Sequence, residues 1–259
     1  MTVNIHFSDK IDVYEIGVDE AGRGPLFGRV YAAAVILPKE MIDGHNFDFT
    51  NMKDSKRFTS KKKIKEIAEY IKENAFSWAV SFESEKKIDA INILQATQSA
   101  MHKAIRDCIK MAKTKKKELQ GTTDCHLLID GNYFNDYITY DKNTELITSI
   151  PHTCVKGGDR MYAAIAAASI LAKVSRDEYI ENICDENPWL DNVYKIRGNK
   201  GYGAKFHMEA IKEKGVTEWH RMSFKPCQTF SISDDDKKFC IIPKKNNNTD
   251  ENKKETEKE

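Results

Sequence analysis

Several acidic residues of this chain follow a short apolar segment and precede a turn that contains glycine. They are Asp19 with Glu20, Asp130 and Asp159. A carboxylate at such a place is held by regular structure and faces the open edge of a sheet. Converging carboxylates repel one another, so a shared site needs a compensating cation. Hard oxygen ligands suit Mg²⁺ or Mn²⁺, and two such ions can stabilise both the attacking and the leaving oxygen of a phosphodiester displacement.

Each of these positions also has a simpler interpretation. The DGN segment at 130–132 is a good turn sequence by itself. Asp159 could cap a helix that begins at the next residue. Asp177 is an alternative fourth carboxylate, but it is predicted to lie well inside a helix, where an ion pair with Lys173 or Arg176 is expected. Residue types and spacing alone therefore indicate only a possible metal site.

The composition limits the class of protein. Hydrophobic residues make up 40% of 259 residues, which is enough for a sizeable core. Lys and Arg number 41 against 40 Asp and Glu, so basic surface must come from clusters such as 61–63 and 113–117. The six cysteines form no C-x-x-C pair, which argues against a zinc module and a disulfide framework. With no apolar run of 18 residues, we expect a soluble protein in a reducing compartment.

Hydrophobic periodicity predicts an α/β protein. Alternation at 14–18 favours a half-buried strand that ends at Asp19-Glu20. Further strands are predicted at 30–37, 76–82, 126–129 and, weakened by Pro151, 150–155. Helices are predicted after Thr59 or Ser60, at 88–111, in the Ala-rich stretch 160–174 and at 204–214, with a loop-rich region at 188–203. This order predicts a mixed sheet covered by helices.

The sequence GVDEAGRGP at 17–25 resembles the signature of the type 2 ribonuclease H family, which comprises ribonuclease HII and the catalytic subunit of eukaryotic ribonuclease H2. Other segments resemble further motifs of this family in the same order, from about residue 14 to residue 226. They are DSK at 54–56, ID at 88–89 with NILQAT at 92–97, LIDGN at 128–132, KGGDRMYAAIAAASILAKVSRD at 156–177, KGYG at 200–203 and HRMSF at 220–224. Together these matches are highly specific.

The resemblance implies a ribonuclease H-like fold, with a mixed five-stranded sheet flanked by helices and a helical C-terminal extension. We accordingly expect an N-terminal arm at 1–12, a catalytic domain at 13–185 and the extension at 186–242. Residues 243–259 are expected to be a disordered tail, because 244–259 contains no apolar residue.

The resemblance also implies a four-carboxylate site at Asp19, Glu20, Asp130 and Asp159, which holds two Mn²⁺ or Mg²⁺ ions bridged by Asp19. Asp159 is preferred to Asp177 because the family's fourth acid belongs to its K-G-D element. This chain departs from that element by one extra glycine, since it reads KGGD, and its connection from Asp130 is longer than in compact bacterial members.

Roles in substrate binding follow from the same resemblance. Gly22, Arg23 and Gly24 match the loop that senses the 2′-hydroxyl, where small residues let the backbone approach a sugar. Tyr202 matches the tyrosine that stacks on the sugar after the ribonucleotide. Lys56 and Arg23 are expected to contact phosphates. His207 and His220 are not expected to bind zinc, and Arg221 and Phe224 are expected to be structural.

The implied activity is endonucleolytic. The RNA strand of RNA–DNA hybrids is hydrolysed and duplex DNA is cut 5′ of embedded ribonucleotides, leaving 5′-phosphate and 3′-hydroxyl ends, in ribonucleotide removal and primer processing. We expect a monomer without membrane contact, in the cytoplasm, or in the nucleus of a eukaryote, and leave accessory subunits open. The alternatives are a type 3 ribonuclease H without junction activity, against which the Gly-Tyr-Gly element argues, and a silent nucleic-acid-binding subunit, against which the four acids argue.

Overall fold

A computed structural model describes residues 3–8, 13–39, 47–52, 60–115, 125–141 and 145–230. The strands are β1 (Tyr14–Ala21), β2 (Val30–Ile36), β3 (Ser77–Glu83), β4 (Cys125–Asp130), β5 (Ile138–Asp141), β6 (Leu146–Ser149) and β7 (His152–Val155). The helices are α1 (Lys61–Asn74), α2 (Glu85–Lys115), α3 (Ala163–Glu186), α4 (Pro188–Tyr194), α5 (Ile196–Asn199), α6 (Lys205–Lys214) and α7 (Lys225–Thr229).

Five strands form one mixed sheet in the order β3-β2-β1-β4-β7. β1 pairs antiparallel with β2 and parallel with β4, and β4 pairs parallel with β7. α2 packs on one face of the sheet, and α1 and α3 pack on the other. The predicted five-stranded α/β architecture is confirmed. The parallel strands β1 and β4 are neighbours inside the sheet, so their carboxyl ends lie side by side at the same end of the sheet.

The prediction that β1 is half-buried is wrong, because both of its faces are covered. Ile16 and Val18 pack toward α2, whereas Gly17 faces α3. A Cβ atom at Gly17 would lie 2.1 Å from the backbone carbon of Ala164, so only glycine lets α3 approach this closely. The non-apolar position at residue 17 in the alternating pattern of 14–18 is thus a glycine in contact with a helix, and it does not mark a solvent-exposed face of the strand. β1 also continues past the predicted end to Ala21.

The long helix α2 is kinked, which its apolar periodicity did not predict. It begins and ends beyond the predicted bounds 88 and 111, and Asn92 has a non-helical backbone with φ 66° and ψ 165°. The Asn92 side chain accepts a hydrogen bond from the Gln95 N–H, as an N-cap residue does, so a second helical segment begins here. Leu94, two residues beyond the kink, is 36% exposed.

Three other regions differ from the sequence predictions. The Ala-rich helix begins at Ala163 rather than at residue 160, because 158–160 forms a 3₁₀ turn. The region 188–203, predicted to be rich in loops, contains α4 and α5, and Pro188 occupies a first-turn position where its missing N–H costs nothing. The hairpin of β5 and β6 was not predicted.

The helical C-terminal region is present and packs on the chain that follows β1. Phe27 and Leu26 share a core with residues late in α3 and with α4, α5, α6 and α7. Phe27 is fully buried there. Within the described ranges, no helix is long and apolar enough to cross a membrane.

Candidate active site

The four predicted carboxylates line a single cleft of about 340 Å³ at the carboxyl ends of β1 and β4. The cleft is completed by residues 21–24, by residues of α3 and by residues that follow α5. The residues of the last two groups are Ser169, Lys173, Arg176, Asp177, Lys200 and Tyr202. The sheet therefore brings together acids that lie up to 140 positions apart in the sequence. Lys56 lies outside the described residues.

Asp19 lies on the α3 face of β1 and is 5% exposed. Its carboxylate accepts hydrogen bonds from the Ser169 hydroxyl and, at 2.7 Å, from the Glu20 N–H. Burial, followed by the negative charges of Glu20 and Asp130, raises the pKa of Asp19 well above its usual range, and the two hydrogen bonds oppose that shift. A buried carboxyl in this setting accepts a negative charge readily only beside a cation.

Glu20 reaches the cleft from the next position of β1. Burial raises the pKa of Glu20, whereas the Arg23 guanidinium, 3.3 Å from its Oε1, favours the ionised form. We expected Asp19 and Glu20 to share a site because the strand ends there. β1 instead runs one residue further, and both side chains still line the cleft at this edge of the sheet.

Asp130 is the last residue of β4, and its side chain is hydrogen-bonded to the turn that carries Asp159. Its Oδ1 accepts a hydrogen bond from the Gly158 N–H at 2.7 Å. Gly157 adopts a left-handed conformation with φ 70°, and Asp159 is 7% exposed, with its Oδ1 3.9 Å from Arg160 Nε. The extra glycine is thus absorbed in the turn and does not remove Asp159 from the cleft. Asp159 does not cap α3, whose N-cap residue is Tyr162.

Asp177 also borders the cleft, as an acid one helical turn beyond Lys173 in α3. The predicted ion pair is present, because Lys173 Nζ lies 3.0 Å from Asp177 Oδ2. Both side chains are partly exposed, at 37% and 26%. Asp177 thus has a cationic partner within its own helix, whereas Asp19 has two acids among its near neighbours.

The donor set consists of carboxylate oxygens, which fits a hard divalent cation. A cation would also offset the repulsion that Glu20 and Asp130 exert on Asp19. Across the part of the chain that the structure describes, however, no three His, Cys, Asp or Glu side chains form a group that could hold a metal ion. The oxygen donors of the cleft are therefore of the type that a divalent cation prefers, although the described side chains are not gathered closely enough to form a complete set of ligands.

The loop Gly22-Arg23-Gly24 is shaped by two arginines that the sequence did not mark as part of the site. Gly22 has φ 93°, and a Cβ atom there would lie 2.2 Å from Arg176 Nε, so glycine is required on both counts. Arg221 is fully buried, and its guanidinium donates to the carbonyl oxygens of Gly22 at 2.6 Å and Arg23 at 2.9 Å. The expected structural role of Arg221 is therefore fulfilled through this loop.

Tyr202 is 51% exposed at the rim of the cleft. The Arg176 guanidinium lies 5.9 Å from the centre of its ring, and Arg176 donates to the Lys200 carbonyl at 2.8 Å. Arg176 itself is 3% exposed. Ser169 and Arg176 were missed as site residues although both lie in the Ala-rich block at 156–177, because only packing shows which residues of a buried helix face the cleft.

His207 and His220 are buried hydrogen-bonding residues. Their Nε2 atoms are 3.0 Å apart, His207 Nδ1 lies 2.8 Å from the Tyr202 carbonyl oxygen, and His220 Nδ1 accepts from the Thr217 N–H at 2.9 Å. Burial, reinforced by His207, lowers the pKa of His220 to about 3, so both rings stay neutral. Because neutral His220 accepts at Nδ1, its Nε2–H donates to His207 Nε2, and His207 in turn donates from Nδ1 to the Tyr202 carbonyl. This last bond holds the backbone that carries the exposed Tyr202 ring.

The fold has solved counterparts. The ribonuclease H2 of Pyrococcus horikoshii OT3 superposes with a TM-score of 0.58 at 18% identity, covering 84% of this chain and 97% of that one. Bst-RNase HIII in complex with Mn²⁺ superposes with a TM-score of 0.59 at 20% identity, covering 85% of this chain and 69% of that one. Sheet order and flanking helices thus define a ribonuclease H-like fold.

Sequence comparison is more specific. The family model for Ribonuclease HII matches residues 16–227. The Ribonuclease HII of Bacteroides thetaiotaomicron is 44% identical over 215 residues, which cover 82% of this chain and 90% of that protein. The chain belongs to the ribonuclease HII family and is a ribonuclease H enzyme.

Proposed function

We propose that the cleft is the catalytic centre of a divalent-metal-dependent endonuclease. It hydrolyses the RNA strand of RNA–DNA hybrids and cuts duplex DNA 5′ of embedded ribonucleotides, leaving 5′-phosphate and 3′-hydroxyl ends. The observation that carries this proposal is the convergence of Asp19, Glu20, Asp130 and Asp159 on one cleft beside the Gly22–Gly24 loop. Membership of the ribonuclease HII family supports the substrate class.

The residues of the cleft would have two roles, since some would bind the metal ions and others would hold these ligands in position. Asp19 would bridge two Mn²⁺ or Mg²⁺ ions, and Glu20, Asp130 and Asp159 would complete the ligands. When bound, the ions would supply an activated water and stabilise the leaving 3′-oxygen. Ser169 holds the Asp19 carboxylate in place, and the Gly158 N–H does the same for Asp130.

Recognition of a ribonucleotide falls to the loop and the rim. The glycines of the Gly22–Gly24 loop leave space for a sugar to approach the main chain, where backbone groups can bond to the 2′-hydroxyl that distinguishes RNA from DNA. Arg23, whose side chain is half exposed, would contact a phosphate. The exposed ring of Tyr202 would stack on the next sugar and favour an RNA-to-DNA junction. Lys56 remains a predicted phosphate contact, and a monomer in the cytoplasm remains our expectation.

The matched pair Asp159→Asn and Asp177→Asn tests the assignment of the fourth acid. Both acids line the cleft, but Asp177 already pairs with Lys173. Cleavage of a labelled RNA–DNA hybrid with Mn²⁺ should fall by at least about 10²-fold in Asp19→Asn and Asp159→Asn, because each variant loses a carboxylate that would hold the cation whose positive charge stabilises the reacting phosphate. Asp177→Asn should lose far less.

Circular dichroism of each variant establishes that the fold is intact. Undiminished cleavage by folded Asp19→Asn would refute the catalytic centre as a whole. Loss in Asp177→Asn together with full activity in Asp159→Asn would instead exchange the two acids. The chemistry of the ends is checked separately, because a product with a 5′-phosphate is ligated directly and one with a 5′-hydroxyl is not.

A further inference from the structure

The N-terminal segment 3–8 contacts the turn that carries Asp159. The Asn4 N–H donates to the Met161 carbonyl at 2.7 Å, and the Asn4 carbonyl accepts from the Ala163 N–H at 2.9 Å. These two bonds form a parallel bridge between Asn4 and Tyr162. The bridge lies two to four residues beyond Asp159, at the point where the turn enters α3.

The same turn is fixed at its other end by Asp130, whose carboxylate accepts the Gly158 N–H. At this attachment the chain contains two consecutive glycines, Gly157 and Gly158, and Gly157 has φ 70°. Glycine leaves the backbone with more freedom to lose than any other residue, so the turn depends on outside contacts for its position. Asp130 supplies one such contact, and the N-terminal segment supplies another.

The N-terminal segment is itself held on a buried carboxylate. Glu15 is 5% exposed on β1, and its two oxygens accept hydrogen bonds from the Phe7 N–H at 3.0 Å and the Ser8 N–H at 2.9 Å. The Phe7 ring stacks on His126 of β4 at 5.4 Å and meets the edge of Tyr162 at 5.5 Å. The segment is thus joined both to strands of the sheet and to the residue that precedes α3.

We propose that residues 3–8 form a strap that positions Asp159 for metal binding, with the Asn4 main chain and the Phe7 ring as its positioning elements. The proposal rests on the function proposed above, because it takes Asp159 as a ligand. Contacts that orient a metal ligand strongly affect metal affinity, although they do not touch the ion. Loosening the strap should therefore weaken metal binding while leaving the cleft otherwise intact.

The test compares Asn4→Pro with Asn4→Ala. Proline removes the N–H that bonds to Met161, whereas alanine keeps both main-chain bonds, and Asn4 itself is exposed. Calorimetric titration with Mn²⁺ should give a Kd raised about tenfold by Asn4→Pro and unchanged by Asn4→Ala. Hydrogen exchange at the amides of 160–163 should accelerate in Asn4→Pro and not in Asn4→Ala.

Phe7→Ala is the second variant, because it keeps the main chain and removes only the ring contacts. It should raise the Kd for Mn²⁺ in the same direction, and it covers the case in which Asn4→Pro does not fold. Asp159→Asn serves as the reference for loss of the ligand. If Asp159→Asn weakens Mn²⁺ binding but folded Asn4→Pro and Phe7→Ala bind as tightly as Asn4→Ala, the strap is refuted alone. If Asp159→Asn binds Mn²⁺ normally, the ligand assignment and the strap both fail.

Discussion

The buried position of Asp19 disfavours its negative charge in the metal-free protein. Burial and the negative charges of Glu20 and Asp130 raise the pKa of Asp19, so the folded state favours the protonated form of this side chain. The contribution of such a group to stability is fully present below the pKa of the unfolded chain and is lost as the pH rises through the raised folded value. The residue that the proposed chemistry most requires is therefore one that weakens the metal-free fold at neutral pH.

Asp19→Asn should consequently stabilise the metal-free protein while abolishing cleavage. Asparagine resembles the protonated acid at every pH, so Tm in EDTA should exceed that of the unchanged chain at pH 7 by several degrees, at about 2–4 °C per kcal/mol. The gain should shrink as the pH falls toward 4. Thermal unfolding followed by circular dichroism from pH 4 to pH 8 measures it. Asp177→Asn, which loses an ion pair instead, should show no gain, and a lower Tm for Asp19→Asn throughout would contradict the electrostatic argument.

Tyr202 provides a second prediction, concerning substrate choice. Its ring is exposed on a backbone held by His207 and lies over Arg176, so its removal should leave the fold intact. Tyr202→Ala should reduce cleavage at a single embedded ribonucleotide about tenfold more than cleavage of a long hybrid, because one stacking contact is lost at the junction. Tyr202→Phe keeps the ring and should retain most activity. Equal losses on both substrates would argue against the junction role.

Regular elements were the part of the fold that the sequence predicted best. β2 was predicted at 30–37 and spans Val30–Ile36, and α1 begins after Ser60, whose side chain accepts from the Lys63 N–H as an N-cap. These elements have strong periodicity or a local cap. For these elements the residues of the segment itself are sufficient to predict the type of secondary structure and its approximate bounds.

The predictions failed where distant contacts decide the local structure. The burial of β1 on its Gly17 side depends on α3, a neighbour that no short window of sequence contains. The same holds for the cleft. Its acids could be assigned from strand ends and family motifs, but Arg176 and Arg221 could not, because they act by packing against the Gly22 loop from α3 and from the C-terminal region.

The kink of α2 gives a prediction about stability. Asn92 has backbone angles that only glycine adopts freely, and its side chain caps the segment that follows. Asn92→Ala should destabilise the protein by about 1–2 kcal/mol, because it loses the cap and keeps the strain. Asn92→Gly loses the same cap but removes the strain, so it should be at least as stable as the unchanged chain. Urea unfolding compares the two, and equal destabilisation would show that the strain is negligible.

The C-terminal helices share one core with the end of α3 and with the loop that follows β1. The predicted boundary between residues 185 and 186 falls at the end of α3, where Ile180 and Ile183 pack with residues of α4, α6 and α7. Phe27, seven residues beyond Glu20, lies in the same core. The loop proposed to recognise the 2′-hydroxyl is thus held between the two regions, and its shape depends on both.

Arg221 is the most direct connection between these regions. Besides Gly22 and Arg23, its guanidinium donates to the carbonyls of Gly28 at 2.8 Å and Arg29 at 3.2 Å. Burial and the charge of Arg176 lower the pKa of Arg221 to about 9, which leaves it a cation at neutral pH. A single planar side chain therefore fixes four main-chain carbonyls on both sides of the turn that precedes β2, and a lysine cannot reproduce that fork.

Arg221→Lys should for this reason affect stability and catalysis together. Carbonyls left without donors in a buried site cost about 1–3 kcal/mol each, so we expect a loss of about 3 kcal/mol in the free energy of unfolding. The loop should also lose its shape, which should lower cleavage at embedded ribonucleotides even at temperatures where the variant is folded. Arg106→Lys is the matched control, since Arg106 pairs with its exposed neighbour Asp107 and should change stability by less than about 0.5 kcal/mol. If Arg221→Lys matched that control in urea unfolding, the C-terminal region would contribute no more than apolar packing to the loop.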